Sequence, residues 1–193
     1  MDKRAKAVLF VLALVSAVWL PAAPFCEARA KTAQREADES DVTAVTVSAA
    51  GDCTFGSDQA SPASANFYAV YKKQKDPAYF FNNVKKYFKQ DDLTLINFEG
   101  VLTKRATRAD KKYAFKGSPG YVDILKKGSV EAAAFANNHC RDFGEGSYTD
   151  TVQCFKEAGI IYSSYEKVGT YEVKGKKIGM ISVNGSEGME TPK

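Results

Sequence analysis

The stretch Leu93-Thr94-Leu95-Ile96-Asn97-Phe98-Glu99-Gly100 decides the fold. Its apolar start reads as a short buried strand, and it then breaks into Asn97, Glu99 and Gly100. Two other runs end the same way. Thr43-Ala44-Val45-Thr46-Val47-Ser48-Ala49 stops at Gly51-Asp52, and Val130 to Ala136 stops at Asn137-Asn138-His139. Helical patterns lie around them. Asp76-Pro77 opens a segment that places Phe80, Phe81, Val84 and Phe88 on one face. Tyr121 to Lys127 reads as a short helix stopped by Gly128. Tyr148 to Ala158 turns Val152, Phe155 and Ala158 inward and ends at Gly159. Lys174-Gly175-Lys176, between two β-rich runs, is a hairpin signal. Strands alternating with helices predict an α/β domain. Ligands in open α/β sheets sit beyond the carboxyl ends of the strands, so the three polar ends form one site if their strands are neighbours.

The chain has 193 residues, 45% hydrophobic and 26% charged, which excludes a collagen, a disulfide knot or a wholly disordered chain. Of 27 basic and 23 acidic residues, residues 1–30 hold Lys3, Arg4, Lys6 and Arg29 against Asp2 and Glu27, leaving 23 against 21. That balance lacks the broad basic field of a nucleic-acid binder, and no nucleic acid is expected as partner.

Residues 1–30 have the parts of an export signal. Lys3, Arg4 and Lys6 precede the apolar run Ala7 to Leu20, and Ala28-Arg29-Ala30 offers a cleavage site. The run falls short of the roughly 20 residues needed to cross a bilayer, although an uncleaved anchor stays open as an alternative. Residues 31–42 read as a polar linker and residues 43–193 as the domain. Location outside the cell or at its surface is expected. Cys53, Cys140 and Cys154 remain after cleavage, at spacings that fit no structural zinc pattern.

Asp52, Asn97, Glu99, Asn138 and His139 form a set of oxygen and nitrogen donors suited to manganese, magnesium, iron or zinc acting as Lewis acids. The structural alternatives are a turn at Gly51-Asp52, an Asx-turn at Asn137-Asn138 and a histidine satisfied within the fold. His139 is the only histidine, so a histidine-rich dinuclear site cannot come from this sequence alone. A triad would lack its Gly-x-Ser-x-Gly elbow, and no phosphate-binding glycine loop is present. A thiol mechanism pairing Cys53 with His139 is a minor alternative. Asp142 is expected first as the cap of the helix beginning near Gly146, and second as the group that orients the imidazole.

Three segments carry a family resemblance: Gly51 to Gly56, Asp91 to Thr103, and Ala136 to Gly144. With Lys116-Gly117-Ser118-Pro119 and Gly128-Ser129-Val130-Glu131, they resemble the bacterial capsule synthesis protein family, CapA, known for poly-γ-glutamate capsule production. The resemblance implies the N-terminal part of a four-layer α/β/β/α sandwich of the calcineurin-like metallophosphoesterase type. It implies metal-binding roles for Asp52, Glu99 and Asn138 and a catalytic role for His139, with Asn97 and Asp142 in support. Thr54 stands where a further histidine belongs in such enzymes. Relatives continue into a second half, which implies a C-terminally truncated chain, marginally stable and catalytically incomplete, with an uncovered apolar face. Two functions follow as expectations. One is an exported metal-dependent hydrolase in capsule biosynthesis. The other is a non-catalytic subunit that binds an anionic polymer such as polyglutamate and works with membrane synthetase and export subunits.

Overall fold

The computed structural model describes residues 42–58, 60–62 and 66–185. The export signal, nearly all of the linker and the tail from residue 186 lie outside the described residues. Residues 45–185 belong to one unit, described here by itself.

Four parallel strands form the main sheet: β1 (Val47–Cys53), β3 (Leu93–Phe98), β6 (Ala132–Ala134) and β7 (Ile161–Ser163), in the order β1-β3-β6-β7. The three polar strand ends therefore are neighbours, with β3 central. A smaller sheet of order β2-β5-β4 joins β2 (Ser57–Asp58), β5 (Phe115–Gly117) and β4 (Val101–Leu102). The hairpin β8 (Gly169–Val173) and β9 (Lys176–Met180) turns through Lys174 and Gly175, both at positive φ. That is the primed-turn geometry matching the twist of paired strands.

The helices are α1 (Phe67–Gln74), α2 (Lys85–Phe88), α3 (Val122–Gly128) and α4 (Glu145–Ala158). One face of the main sheet, bearing Ile96, Phe98 and Ala133, packs on an aromatic core with Phe135 and Phe155 from α4 and its approach. Phe98 meets Phe155 edge-on with ring centroids 5.1 Å apart, and Phe135 meets Phe155 at 5.4 Å. Each such buried ring contributes roughly 1.5–3 kcal/mol over exposure. The other face carries Leu93, Leu95 and Ala132 and is covered by Tyr171, Ile178 and Met180 of the hairpin. The apolar face expected to stand open is thus closed over β3 and β6 by a local element.

Several boundaries differ from the sequence reading. The first strand begins at Val47 rather than Thr43 and runs on through Asp52 to Cys53. The segment after Asp76 is not one helix. A 3-10 turn, Pro77–Phe81, is capped by Asp76 Oδ1 on the Ala78 N–H, and the separate short α2 follows. Of the expected apolar stripe, Phe81 is buried and Val84 is exposed. The sequence assigned nothing to α1. Its cap is Asn66, and its Phe67 and Tyr71, one turn apart, stack on Phe80 and Tyr121. Gly128 is the last residue of α3 rather than its stop, and Ser129 takes the left-handed cap at φ 61°.

Candidate functional site at the strand ends

A bulge positions the first residue. Ala50 pairs with Ile96 and Asp52 with Asn97, so Gly51 is the extra residue in β1. One inserted residue reverses the facing of all that follow. Cys53 consequently joins Ala50 against the aromatic core, while Asp52 lies beside Asn97. Asn97 Nδ2 donates to Asp52 Oδ1 over 2.6 Å.

The network continues across the sheet. Asn137, just beyond β6, donates through Nδ2 to Asn97 Oδ1 at 3.0 Å and to the Phe98 carbonyl at 2.8 Å. Its Oδ1 accepts from the His139 backbone N–H, so the Asx-turn alternative is realised here. Glu99 Oε2 accepts from Thr54 Oγ1 at 2.8 Å, and its Oε1 lies 3.6 Å from His139 Nε2. The ring of His139 packs against Phe115 with centroids 4.5 Å apart.

Asp142 does not cap α4, whose N-cap position is Gly144 with no side-chain bond. Its buried carboxylate lies 2.7 Å from His139 Nδ1, accepts from Lys111 Nζ at 2.7 Å and accepts from the Phe115 backbone N–H. The reason is geometric. Residues 137–143 form a turn that folds Asp142 back beneath the histidine, and the helix starts three residues later. Asn138 is exposed, and its carbonyl accepts from Lys111.

Asn137 and Lys111 are the members that sequence reasoning did not select. Asn137 had a signal: it directly follows the apolar Phe135-Ala136, which makes it the more buried of the two asparagines. Lys111 had none, because its distance from Asp142 is a loop property.

The thiol alternative fails on this geometry. Burial, with the Asp52 charge adding to it, pushes the Cys53 thiol up to about 11. Burial also raises Cys140 and Cys154, and all three thiols are free. The strands carrying Cys53 and leading to Cys140 are separated by β3.

A resident divalent metal would draw on Asp52, Glu99 and Asn138. Asp52 and Glu99 each already hold a hydrogen-bond donor on one oxygen, and no group of three or more His, Cys, Asp or Glu side chains is placed to hold a metal ion among the described residues. Resident metals of this class need three or more protein ligands or a phosphate to share. Among the described residues Asp52, Glu99 and His139 are thus not gathered as a ready three-ligand site, and a metal there would need Asn138 or a further donor as well.

These features define a mixed α/β domain with a polar, hydrogen-bonded cluster at the carboxyl ends of a parallel sheet. The chain belongs to the bacterial capsule synthesis protein PGA_cap family, whose model matches residues 46–193. It is 32% identical over 88 residues to the capsule biosynthesis protein CapA of Bacillus anthracis, covering 44% of this chain and 21% of that relative. It is 39% identical over 70 residues to a probable polyglutamine synthesis accessory protein of Mycobacterium tuberculosis, covering 36% of this chain and 18% of the relative. The matched segments thus span about a fifth of these curated relatives. Among the described residues no helix is long and apolar enough to cross a membrane.

Proposed function

We propose that this chain serves capsule synthesis as an exported surface subunit that binds an anionic polymer of the polyglutamate kind, beside membrane synthetase and export partners. The observation that carries this reading is the closure of the strand-end cluster. Asp52 is held by Asn97, Asn97 by Asn137 and Glu99 by Thr54, so these polar groups satisfy one another and stiffen the face of the domain. The relatives' capsule biosynthesis and accessory roles support the polymer as partner. A leader at 1–30, a linker at 31–42 and a binding domain at 43–193 belong to the same reading. The test is fluorescence anisotropy of labelled poly-γ-glutamate with the full chain in excess chelator. Binding should persist there. Binding abolished by chelator and restored by manganese would overturn the reading.

A second reading, a phosphoesterase-like hydrolase within a four-layer α/β/β/α sandwich, is favoured by one observation. Asp142 fixes Nδ1 of His139 and leaves Nε2 toward Glu99, the arrangement of an imidazole kept ready to hold a proton. The resemblance gives Asp52, Glu99 and Asn138 to a divalent manganese, iron, zinc or magnesium, and this reading needs a donor beyond the described residues. Hydrolysis of an aryl phosphodiester by the full chain with manganese, lost in His139→Asn, would support it. Turnover indifferent to that substitution would sink it.

A further inference from the structure

Residues 103–114, between β4 and β5, carry Lys104, Arg105, Arg108, Lys111 and Lys112 against one acid, Asp110, and Lys116 follows in β5. The segment has no helix or strand, yet it is tied down at three points. Arg105 pairs with Asp150 of α4 at 3.0 Å, Arg108 with the buried Asp58 of β2 at 3.1 Å, and Lys111 with Asp142 at 2.7 Å. Three cations are thus spent on holding the loop to three separate elements. Lys104, Lys112 and Lys116 enter no ion pair among the described residues.

Two of these, Lys104 and Lys116, line one cleft of about 240 Å³ together with Ser57, Tyr68, Ser118 and Tyr121. Strand β5 borders both the cleft and the strand-end cluster. The Phe115 ring packs at a tilt against His139, and Lys116, the next residue, lines the cleft while its Nζ donates to the Arg105 carbonyl at 2.7 Å and lies 4.6 Å from the centre of the Phe143 ring. Gly56 and Gly117, which line the cleft, let their two backbone segments pack closely, because a Cβ at Gly56 would collide with the Lys116 backbone and one at Gly117 with the Phe55 carbonyl. The volume lies under the roughly 300–1,000 Å³ typical of whole cofactors and drug-sized ligands, so the cleft suits one short charged unit at a time.

We propose that this cleft grips a carboxylate of an acidic polymer chain, with Lys104 and Lys116 as the charged pair and the pinned 103–114 loop as a basic rail beside it. The proposal rests on the polymer-binding reading and gives it a location apart from the strand-end cluster. Arg105 and Arg108 are consumed in ion pairs, so the charges left to the cleft are lysine ammoniums, point charges that attract carboxylate and phosphate alike. The carboxylate is chosen over nucleic acid because residues 31–193 hold 23 basic against 21 acidic residues and lack a broad basic field. An ordered loop also loses less entropy on binding than a loose one.

The experiment titrates the isotope-labelled full chain with short poly-γ-glutamate fragments, reading amide shifts and affinity. Shifts should gather at residues 56–58 and 103–121. Lys104→Gln with Lys116→Gln should weaken binding about tenfold, the scale of two exposed charge contacts, and make the remaining binding less sensitive to salt. Lys86→Gln, on α2, whose residues do not line the cleft, should leave it unchanged. Full-strength binding by the double variant, or shifts confined elsewhere, overturns this site and leaves the polymer-binding reading standing. No binding by the unaltered chain overturns that reading and this site with it. Equal affinity for a single-stranded oligonucleotide of matched charge overturns the assignment to carboxylate polymers.

Discussion

His139 Nδ1 lies 2.7 Å from Asp142 Oδ2, and both side chains are buried. The same carboxylate also receives the Lys111 ammonium and the Phe115 N–H, so one acid joins the last strand-end turn, the basic loop and β5. Removing it would take the shared acceptor from the Phe115 N–H and the His139 ring and leave Lys111 with the Asn138 carbonyl.

Asp142→Ala should therefore lower the unfolding free energy by about 1–3 kcal/mol, the cost of leaving a buried donor unsatisfied. Asp142→Asn keeps the volume and should cost less. Urea denaturation of the full chain measures both. A loss under about 1 kcal/mol for the alanine variant would mean the cluster behaves as an exposed ion pair.

Asp58 gives a pH dependence. Backbone N–H groups of Ala60 and Ala114 donate to it, Arg108 pairs with it, and its pKa is held down at about 2. The folded form binds this proton more weakly than the unfolded chain does, whose carboxyl titrates near about 4. The stabilisation is complete above that value and is lost as pH falls towards 2. Thermal midpoints of the parent and Asp58→Asn should differ most at neutral pH and converge on acidification. A constant gap would contradict the assignment.

The described thiols should resist alkylation. With Cys53 raised to about 11 and Cys140 and Cys154 raised by burial, little thiolate exists at neutral pH. Iodoacetamide followed by mass spectrometry should modify them slowly in the folded chain and fast in urea. Rapid labelling of Cys53 in the folded chain would be the contrary result.

Two neighbouring substitutions at the end of α3 should act oppositely. Gly128→Ala would drive a Cβ into the Phe81 ring and should cost about 1–3 kcal/mol, as overpacking does. Ser129→Gly would relieve a left-handed residue at φ 61° and should stabilise by about 0.5–1 kcal/mol. Thermal melts of the two variants check both signs.

The elements that were legible share one property: their signal is local. Leu93–Phe98 is a run of strand length with Leu93, Leu95, Ile96 and Phe98 apolar and polar residues on either side, and the Lys174-Gly175 turn carries its own φ requirement. Gly159 closes α4 for the same reason, with φ 73°. The elements that were missed owe their form to partners. β4, β5 and β7 have two or three residues each, too few for a period to show, and exist because neighbouring strands pair with them. The α1 helix depends on Phe67 and Tyr71 finding Phe80 and Tyr121, contacts between segments that local pattern does not connect.

The candidate site divides along the same line. Which residues stand at the strand ends was written in the sequence, since apolar runs of strand length stop at Asp52, Asn97 and Asn137. What those residues do to one another was left to tertiary structure. The extra residue at Gly51 turns Asp52 toward Asn97 and Cys53 into the core, and a single-residue shift of this kind reverses facing without altering composition or pattern. Asp142 could cap a helix or hold a histidine on sequence alone. The fold of residues 137–143 and the arrival of Lys111 from the 103–114 loop and Phe115 from β5 decide between them, because a buried carboxylate is stable only where enough donors converge.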